Sequence, residues 1–224
     1  MATRALGLGT LILLTLSGYA LFFKAGPILG EGDAGRIVYF HVPMAWDAFL
    51  AFFVVFGASI AYLRTGNPRW DQLGRASAEV GVIFTTLVLI TGSIWAYPIW
   101  GTWWSWDPKL TTTLILWFMY LAYLMVRSYA EEPRGPRFAA VVGIIAFFDV
   151  PIVYMSATWW KALHPPAAIG PLAQQQPSQS IVWLLLISLV AFTLLYAFLV
   201  RVRVEIEQAE AAPGLRGELA HARP

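Results

Sequence analysis

The chain has 224 residues, of which 58% are hydrophobic and only 12% are charged. A soluble domain carries roughly 25% charged residues, so this composition indicates an integral membrane protein. The small net charge of +2, spread over separate loops, argues against a nucleic-acid partner, and the absence of cysteine excludes disulfides and cysteine-ligated metal sites.

Apolar segments long enough to cross a bilayer occur six times along the chain. A transmembrane helix needs about 20 mainly apolar residues. The predicted spans cover residues 5–23, 42–63, 77–98, 110–128, 138–157 and 181–200. We therefore predict an all-α membrane domain over residues 1–200, followed by a charged tail over residues 201–224 that begins as a helical extension.

The first apolar segment follows Arg4, so a cleaved signal peptide is the alternative interpretation of this region. The segment is long for a signal peptide, and no clear small-residue cleavage site precedes Lys24. We expect the segment to be a retained transmembrane helix that belongs to the folded bundle.

Lysine and arginine residues are divided unequally between alternate connections. The N-terminus, the connections 64–76 and 127–137, and the tail carry 11 of the 15, whereas the other three connections carry four. Because positive residues are retained on the cytoplasmic side, this distribution predicts that both termini are cytoplasmic. The other three connections are then predicted to lie on the outer side of the membrane.

Most tryptophans lie in or near the predicted outer loops and outer helix ends. Nine of the 11 belong to this group: Trp46, Trp95, Trp100, Trp103, Trp104, Trp106, Trp159, Trp160 and Trp183. Tryptophans that only anchor a protein are placed at both membrane interfaces. The imbalance therefore favours an outer aromatic surface that binds a large, flat, apolar ligand, with anchoring alone as the alternative.

The densest group of tryptophans ends at Asp107-Pro108, directly before the fourth span. Aspartate followed by proline at the head of a helix is typical of an N-cap with proline at the first helical position. We therefore predict that Asp107 caps the fourth helix, whatever else it does.

Two of the three histidines lie at predicted outer positions on either side of the tryptophan-rich loop. His41 precedes the second span and His164 follows the fifth, while His221 lies in the tail. Neutral imidazole binds metals well and is a common axial ligand of haem iron. The pair therefore predicts a metal or haem site, with ordinary polar contacts as the alternative.

Three outer cations, Arg36, Lys109 and Lys161, are candidates to bind the carboxylates of such a ligand. The alternative is that each side chain only reaches toward lipid headgroups. Within the spans, Asp149 stands two residues before Pro151, and we interpret it as satisfying backbone groups that the proline leaves free, with a functional role inside the membrane as the alternative.

The remaining acidic residues are expected to have no special role. Asp47 and Glu79 lie near predicted helix ends. The glutamates of the tail, Glu205, Glu207 and Glu210, alternate with arginines and are typical of a solvated helix face.

The segment Trp100-Gly101-Thr102-Trp103-Trp104-Ser105-Trp106-Asp107 resembles the WWD motif of the haem-handling protein family of cytochrome c biogenesis. Residues 36–43 and 151–164 resemble the segments around the two outer histidines of that family. With its short length and one histidine on each side of the motif, the chain is most similar to the CcmC branch. It departs from the family pattern at Lys109, Asp149 and Pro165, where arginine, asparagine and glutamine are common.

The resemblance implies a haem-binding and transfer protein rather than an enzyme, which holds haem b transiently and without a covalent bond. It implies that His41 and His164 are the axial ligands of the haem iron. The other implied or candidate haem-contacting residues are Trp100, Trp103, Trp104, Trp106, Asp107, Arg36, Trp159 and Trp160. The implied partners are the haem chaperone CcmE, the ABC transporter proteins CcmA and CcmB, and the small membrane protein CcmD.

Three other functions remain open from the residues. A membrane b-type cytochrome needs histidines inside facing helices, whereas none is predicted at mid-span. A haem or small-molecule transporter subunit should carry polar residues through several spans, whereas only Asp149 is predicted there. A haem lyase needs room for the apocytochrome, for which this chain offers no large outer domain.

Overall fold

A computed structural model describes residues 1–26, 28, 31–129, 134–160, 162–164 and 178–210. The helices in this part of the chain are α1 (Ala2–Phe23), α2 (Val38–Thr65), α3 (Pro68–Trp100), α4 (Pro108–Tyr129), α5 (Arg134–Phe147), α6 (Asp149–Trp159) and α7 (Gln179–Glu210). Six segments of the described chain are long and apolar enough to cross a membrane, with α5 and α6 together forming one of them. This result confirms the six predicted spans.

Several helices begin earlier or end later than hydropathy predicted. α2 begins at Val38 rather than at residue 42, α3 begins at Pro68 rather than at residue 77, and α7 continues to Glu210. The start of α3 has a local cause, because the Asn67 side chain accepts a hydrogen bond from the Arg69 N–H at 3.1 Å. Hydropathy detects the lipid-buried part of a helix, whereas caps determine where the helix ends.

The centre of the bundle is the contact between α2 and α3. Phe52 of α2 is fully buried and stacks on Tyr120 of α4, with 3.7 Å between ring centroids. The Ser77 hydroxyl on α3 donates to the Ala51 carbonyl at 2.8 Å and lies 2.7 Å from the Tyr196 hydroxyl of α7. Because lipid tails are as apolar as a protein core, close packing and such interhelical hydrogen bonds hold these helices together.

α1 packs against α7 at the edge of the bundle. The hydroxyls of Ser17 and Ser188 lie 2.8 Å apart in this interface. The opposite side of α1 exposes large apolar side chains, among them Leu8, Leu11 and Leu16. This exposure is expected where a helix contacts lipid.

The fifth span is interrupted at Phe148, between α5 and α6. Pro151 lies in the first turn of α6 and has no N–H to donate to the preceding turn, which explains the interruption. Asp149 was predicted to satisfy the freed backbone groups, but its buried Oδ2 has no hydrogen-bond partner in the described chain.

An ionic cluster joins α3 to α7 at the end of α3 remote from Trp100. Arg75 lies 3.2 Å from Glu79 and 3.7 Å from Glu207, and Arg203 also pairs with Glu79. The side chain of Glu207 is only 15% exposed. The expectation that Glu79 has no special role and that Glu207 is part of a solvated face was therefore wrong, because the extended α7 lies against α3. Residues 211–224 of the predicted tail lie outside the described residues.

Gly81 offers a test of the packing between α2 and α3. A Cβ at this position would lie 2.7 Å from Phe52 Cε1 and 3.0 Å from Ala51 Cβ. Because Phe52 is stacked and has no room to move, Gly81→Ala should destabilise the fold by about 1–3 kcal/mol. The expected result is a lower thermal unfolding midpoint of the detergent-purified protein.

Gly57→Ala on α2 is the matched control, because a Cβ there meets nothing within 4 Å. Alanine favours a helix over glycine by roughly 0.5–1 kcal/mol, so this variant should unfold at the parent temperature or slightly above it. Equal unfolding midpoints for the two variants would contradict the close packing at Gly81.

Candidate ligand cavity lined by two histidines

A cavity of about 390 Å³ lies between α2, α3, α4 and α6, and the segment 162–164 completes its wall. Its volume is within the range of about 300–1,000 Å³ that small-molecule sites have. The wall is mainly apolar, with Val88, Leu89, Ile99, Leu116 and Val153 among its residues. His41, His164 and Lys109 also line this cavity. A mainly apolar cavity with a few convergent polar groups is typical of a ligand site.

His41 lies in the first turns of α2 rather than before the helix, as the sequence had predicted. Its side chain is buried, and its Nδ1 lies 3.0 Å from the Thr91 hydroxyl oxygen of α3. The Trp95 ring packs edge-on against the imidazole, with 5.6 Å between centroids. Gly92 makes room for the ring, because a Cβ there would lie 3.0 Å from His41 Cε1. Three residues of α3, Thr91, Gly92 and Trp95, thus fix the position of the imidazole.

His164 reaches the same cavity from the segment that follows α6. Its backbone N–H donates to Asp107 Oδ2 at 3.1 Å, and its ring lies edge-on to Trp100 at 6.3 Å between centroids. The structure therefore brings together two histidines that are far apart in sequence. Pro165, where the chain departs from the family pattern, lies outside the described residues.

Asp107 makes two contacts with its two carboxylate oxygens. Oδ1 accepts the N–H of Leu110 at 2.9 Å, which confirms the predicted cap of α4. Oδ2 accepts the N–H of His164, which the sequence did not predict. The side chain is buried. A single buried carboxylate thus fixes both the start of α4 and the segment that carries His164.

The tryptophans of the motif separate into two groups. Trp100 and Trp104 line the cavity. Trp103 and Trp106 do not, and their side chains are 56% and 76% exposed. Trp103 stacks instead on Tyr97, with 4.4 Å between centroids. The motif therefore presents aromatic rings both to the cavity and to the outside of the bundle.

Trp159 and Trp160 lie at the end of α6 and are both exposed. Their rings meet edge-to-face at 5.9 Å between centroids, and neither residue lines the cavity. Their predicted contact with a bound ligand stays a prediction, and the structure places both side chains on the surface.

The two described candidate cations have different surroundings. Arg36 pairs with Asp33 at 3.2 Å and does not line the cavity. Lys109 lines the cavity, its Nζ lies 5.9 Å from the centroid of the Tyr154 ring, and it forms no salt bridge within the described chain. Lys161 lies outside the described residues. Lys109 is thus the described candidate cation that faces the cavity.

Several residues of this region were not indicated by the sequence. Thr91 contacts His41, and Glu31 accepts a hydrogen bond from the Trp95 indole at 3.0 Å. Both contacts join distant parts of the chain, so no local pattern could have indicated them.

Asp47 was expected to need no special role, yet its side chain is buried, with 1% of the residue exposed, and lies 2.8 Å from the Thr193 hydroxyl. Its position on the buried face of α2 could have been found from helical periodicity.

The described residues contain no group of three or more histidine, cysteine or acidic side chains that could enclose a free metal ion. Two imidazoles on one cavity are instead suited to a metal whose other ligands come from a macrocycle. Trp104 lines this cavity, and its indole nitrogen is buried and has no hydrogen-bond partner among the described residues.

Comparison with known proteins gives a match to the family model of heme exporter protein C over residues 2–214. This chain belongs to the heme exporter protein C family. It is 37% identical to heme exporter protein C of Bradyrhizobium diazoefficiens over 170 residues. This aligned region covers 75% of this chain and 65% of that protein. It is 36% identical over 182 residues to the Haemophilus influenzae protein of the same name, covering 79% and 72%.

A ccmC-like mitochondrial protein of cytochrome c biosynthesis from Marchantia polymorpha is 35% identical over 140 residues, covering 62% of this chain and 59% of that protein. The chain thus spans less than two thirds of the lengths of the Bradyrhizobium and Marchantia relatives. Family membership and the six apolar helices together establish a multi-pass membrane protein.

Asp107→Asn separates the two contacts of Asp107. Asparagine is as good an N-cap as aspartate, but its amide nitrogen cannot accept the His164 N–H. In hydrogen–deuterium exchange of the purified protein, we expect faster exchange in the peptide that contains residues 162–164 and unchanged protection of the first turn of α4.

Asp107→Ala should accelerate exchange in both places, at a cost of roughly 1 kcal/mol for the cap alone. Unchanged exchange of the 162–164 peptide in both variants would show that the carboxylate does not hold this segment.

Proposed function

We propose that this protein holds haem at the outer face of the cytoplasmic (inner) membrane and delivers it to the haem chaperone CcmE during cytochrome c maturation. The observation that carries the proposal is the convergence of His41 and His164 on one aromatic-lined cavity. Haem is the cargo of this protein rather than a resident cofactor.

The residues present fit this cargo. A porphyrin supplies the equatorial nitrogens of its iron, so the imidazoles of His41 and His164 can complete the coordination from two sides. Trp100 and Trp104 offer apolar ring surface to a flat ligand, and most of the remaining wall is aliphatic. The chain has no cysteine, so it cannot hold haem through a thioether bond. We propose that haem b binds transiently and without a covalent bond.

Lys109 is the proposed partner of a haem propionate. It lines the cavity, whereas Arg36 is paired with Asp33 outside it. An ammonium in a mainly apolar cavity is favoured when a carboxylate binds beside it.

Release of haem calls for a surface that a partner can reach. Trp103 and Trp106 are exposed beside the cavity, and we propose that they contact CcmE. The ABC transporter proteins CcmA and CcmB and the small membrane protein CcmD are proposed as further partners, because of the resemblance to the haem-handling family. The site is suited to transfer rather than to storage, since His164 lies in a segment after a helix and not within one.

The first test is replacement of each histidine by alanine. The protein purified in detergent from haem-replete cells that lack the chaperone should show a low-spin, six-coordinate absorption spectrum. His41→Ala and His164→Ala should each lose this spectrum or much of the bound haem, and added imidazole should partly restore it.

His221→Ala is the matched control, because it removes the third histidine of the chain from the predicted cytoplasmic tail. It should bind haem as the parent does. A spectrum that survives replacement of both His41 and His164 would overturn the proposed site.

The second test concerns the propionate. Lys109→Gln removes the charge but keeps a polar side chain, and should weaken haem binding about tenfold or more, since a hydrogen bond to a charged group contributes roughly 1.5–3 kcal/mol. Lys109→Arg should bind nearly as well as the parent. Haem affinity can be measured by titrating the haem-free protein.

Arg36→Gln is the comparison for this experiment, since Arg36 pairs with Asp33 and does not line the cavity. It should change haem affinity less than Lys109→Gln does. The reverse order of effects would assign the propionate to Arg36.

A further inference from the structure

The hydroxyl group of Thr91 donates its one proton to a hydrogen bond within α3. Thr91 Oγ1 lies 2.7 Å from the Leu87 carbonyl oxygen, to which it donates, and its distance to the Val88 carbonyl is 3.4 Å. This back-bond to the preceding turn is common for threonine in helices. A hydroxyl carries one proton and two lone pairs, so toward any other neighbour Thr91 can act only as an acceptor.

That neighbour is His41, whose Nδ1 lies 3.0 Å from Thr91 Oγ1. Because the oxygen accepts, Nδ1 must carry the proton and donate. A neutral imidazole has one N–H, so the lone pair is then on Nε2. Nε2 of His41 forms no hydrogen bond with any residue that the structure describes. The nitrogen that is left for a ligand is therefore the one that Thr91 does not touch.

The surroundings of the ring keep this orientation. Trp95 lies edge-on to it at 5.6 Å between centroids, and its indole N–H donates in turn to Glu31 at 3.0 Å. Gly92 lets α3 approach the ring closely, since a Cβ there would lie 3.0 Å from Cε1. A half-turn of the His41 imidazole would place Cδ2 instead of Nδ1 beside Thr91, and the hydrogen bond between the two residues would be lost.

We propose that Thr91 is a positioning residue for haem binding, which fixes His41 as the Nδ1–H tautomer and so presents Nε2 to the haem iron. The inference rests on the proposed function, because it takes His41 to be an iron ligand. Metal-ligating histidines are generally oriented by a partner of their second nitrogen, which also raises the basicity of the ligating nitrogen. In this protein the partner is a hydroxyl from the neighbouring helix α3.

The tautomer can be tested without haem. Nitrogen NMR of the haem-free protein labelled with ¹⁵N-histidine distinguishes Nδ1–H from Nε2–H, and His41→Ala assigns the signal. His41 should be the Nδ1–H tautomer in the parent and in Thr91→Ser, which keeps the hydroxyl. Thr91→Val has nearly the same shape without an acceptor and should lose the single tautomer. An Nε2–H tautomer in the parent would overturn the inference.

Haem-loaded protein tests the consequence for the iron. Thr91→Val should weaken haem binding about 10–100-fold and raise the reduction potential, since an imidazole without this hydrogen bond donates less charge to the ferric iron. Thr91→Ser should have the haem affinity and the reduction potential of the parent. Thermal unfolding of the parent, Thr91→Val and Thr91→Ser shows whether the fold is kept. A purely structural role would not move the potential in a folded variant.

The role of Thr91 and the haem site itself can be refuted separately. If His41→Ala changes the haem spectrum while a folded Thr91→Val keeps the affinity and potential of the parent, the role of Thr91 is refuted and the haem site stands. If His41→Ala leaves the haem spectrum unchanged, the proposed function is refuted together with this inference.

Discussion

The buried carboxylate of Asp107 is the contact on which the rest of this cavity depends. One oxygen caps α4 by accepting the N–H of Leu110. The other accepts the backbone N–H of His164, 57 residues away in sequence. The second contact joins the segment that carries His164 to the start of α4. Charged acceptors make the stronger hydrogen bonds, and burial protects this one from competition by water.

The other histidine is placed by a different means. His41 lies on a long helix that packs along α3, so its position follows from the helix–helix interface itself. One histidine is thus fixed by extensive packing and the other by a tether. The proposed capture and release of haem would use this difference, because the segment that carries His164 could move while the packed helices keep His41 in place.

The fold was largely predictable because a bilayer imposes a simple constraint. Every span must be a long apolar segment, so hydropathy located all six. The cap at Asp107 was predictable as well, because Asp-Pro before an apolar run has only local requirements. The histidines and tryptophans were singled out by residue type and by their predicted side of the membrane.

Contacts between distant helices were not predictable in this way. Nothing near Thr91 in the sequence indicates that it meets His41, and nothing near Glu79 indicates that Arg203 pairs with it. The different directions of Trp103 and Trp104 depend on the path of a short loop whose first residue, Gly101, has a positive φ of 73°. Each of these features is decided by how helices are arranged, which hydropathy does not report.

The loop between α3 and α4 is fixed at both ends, by Gly101 closing α3 and by Asp107 opening α4. Between these points it turns Trp104 toward the cavity and Trp103 and Trp106 away from it. Because only seven residues run from Gly101 to Asp107, both fixed ends included, Trp104 at the cavity and Trp103 and Trp106 on the surface share one short stretch of backbone. A displacement of Trp104 by a bound ligand would therefore be expected to shift the two exposed rings as well.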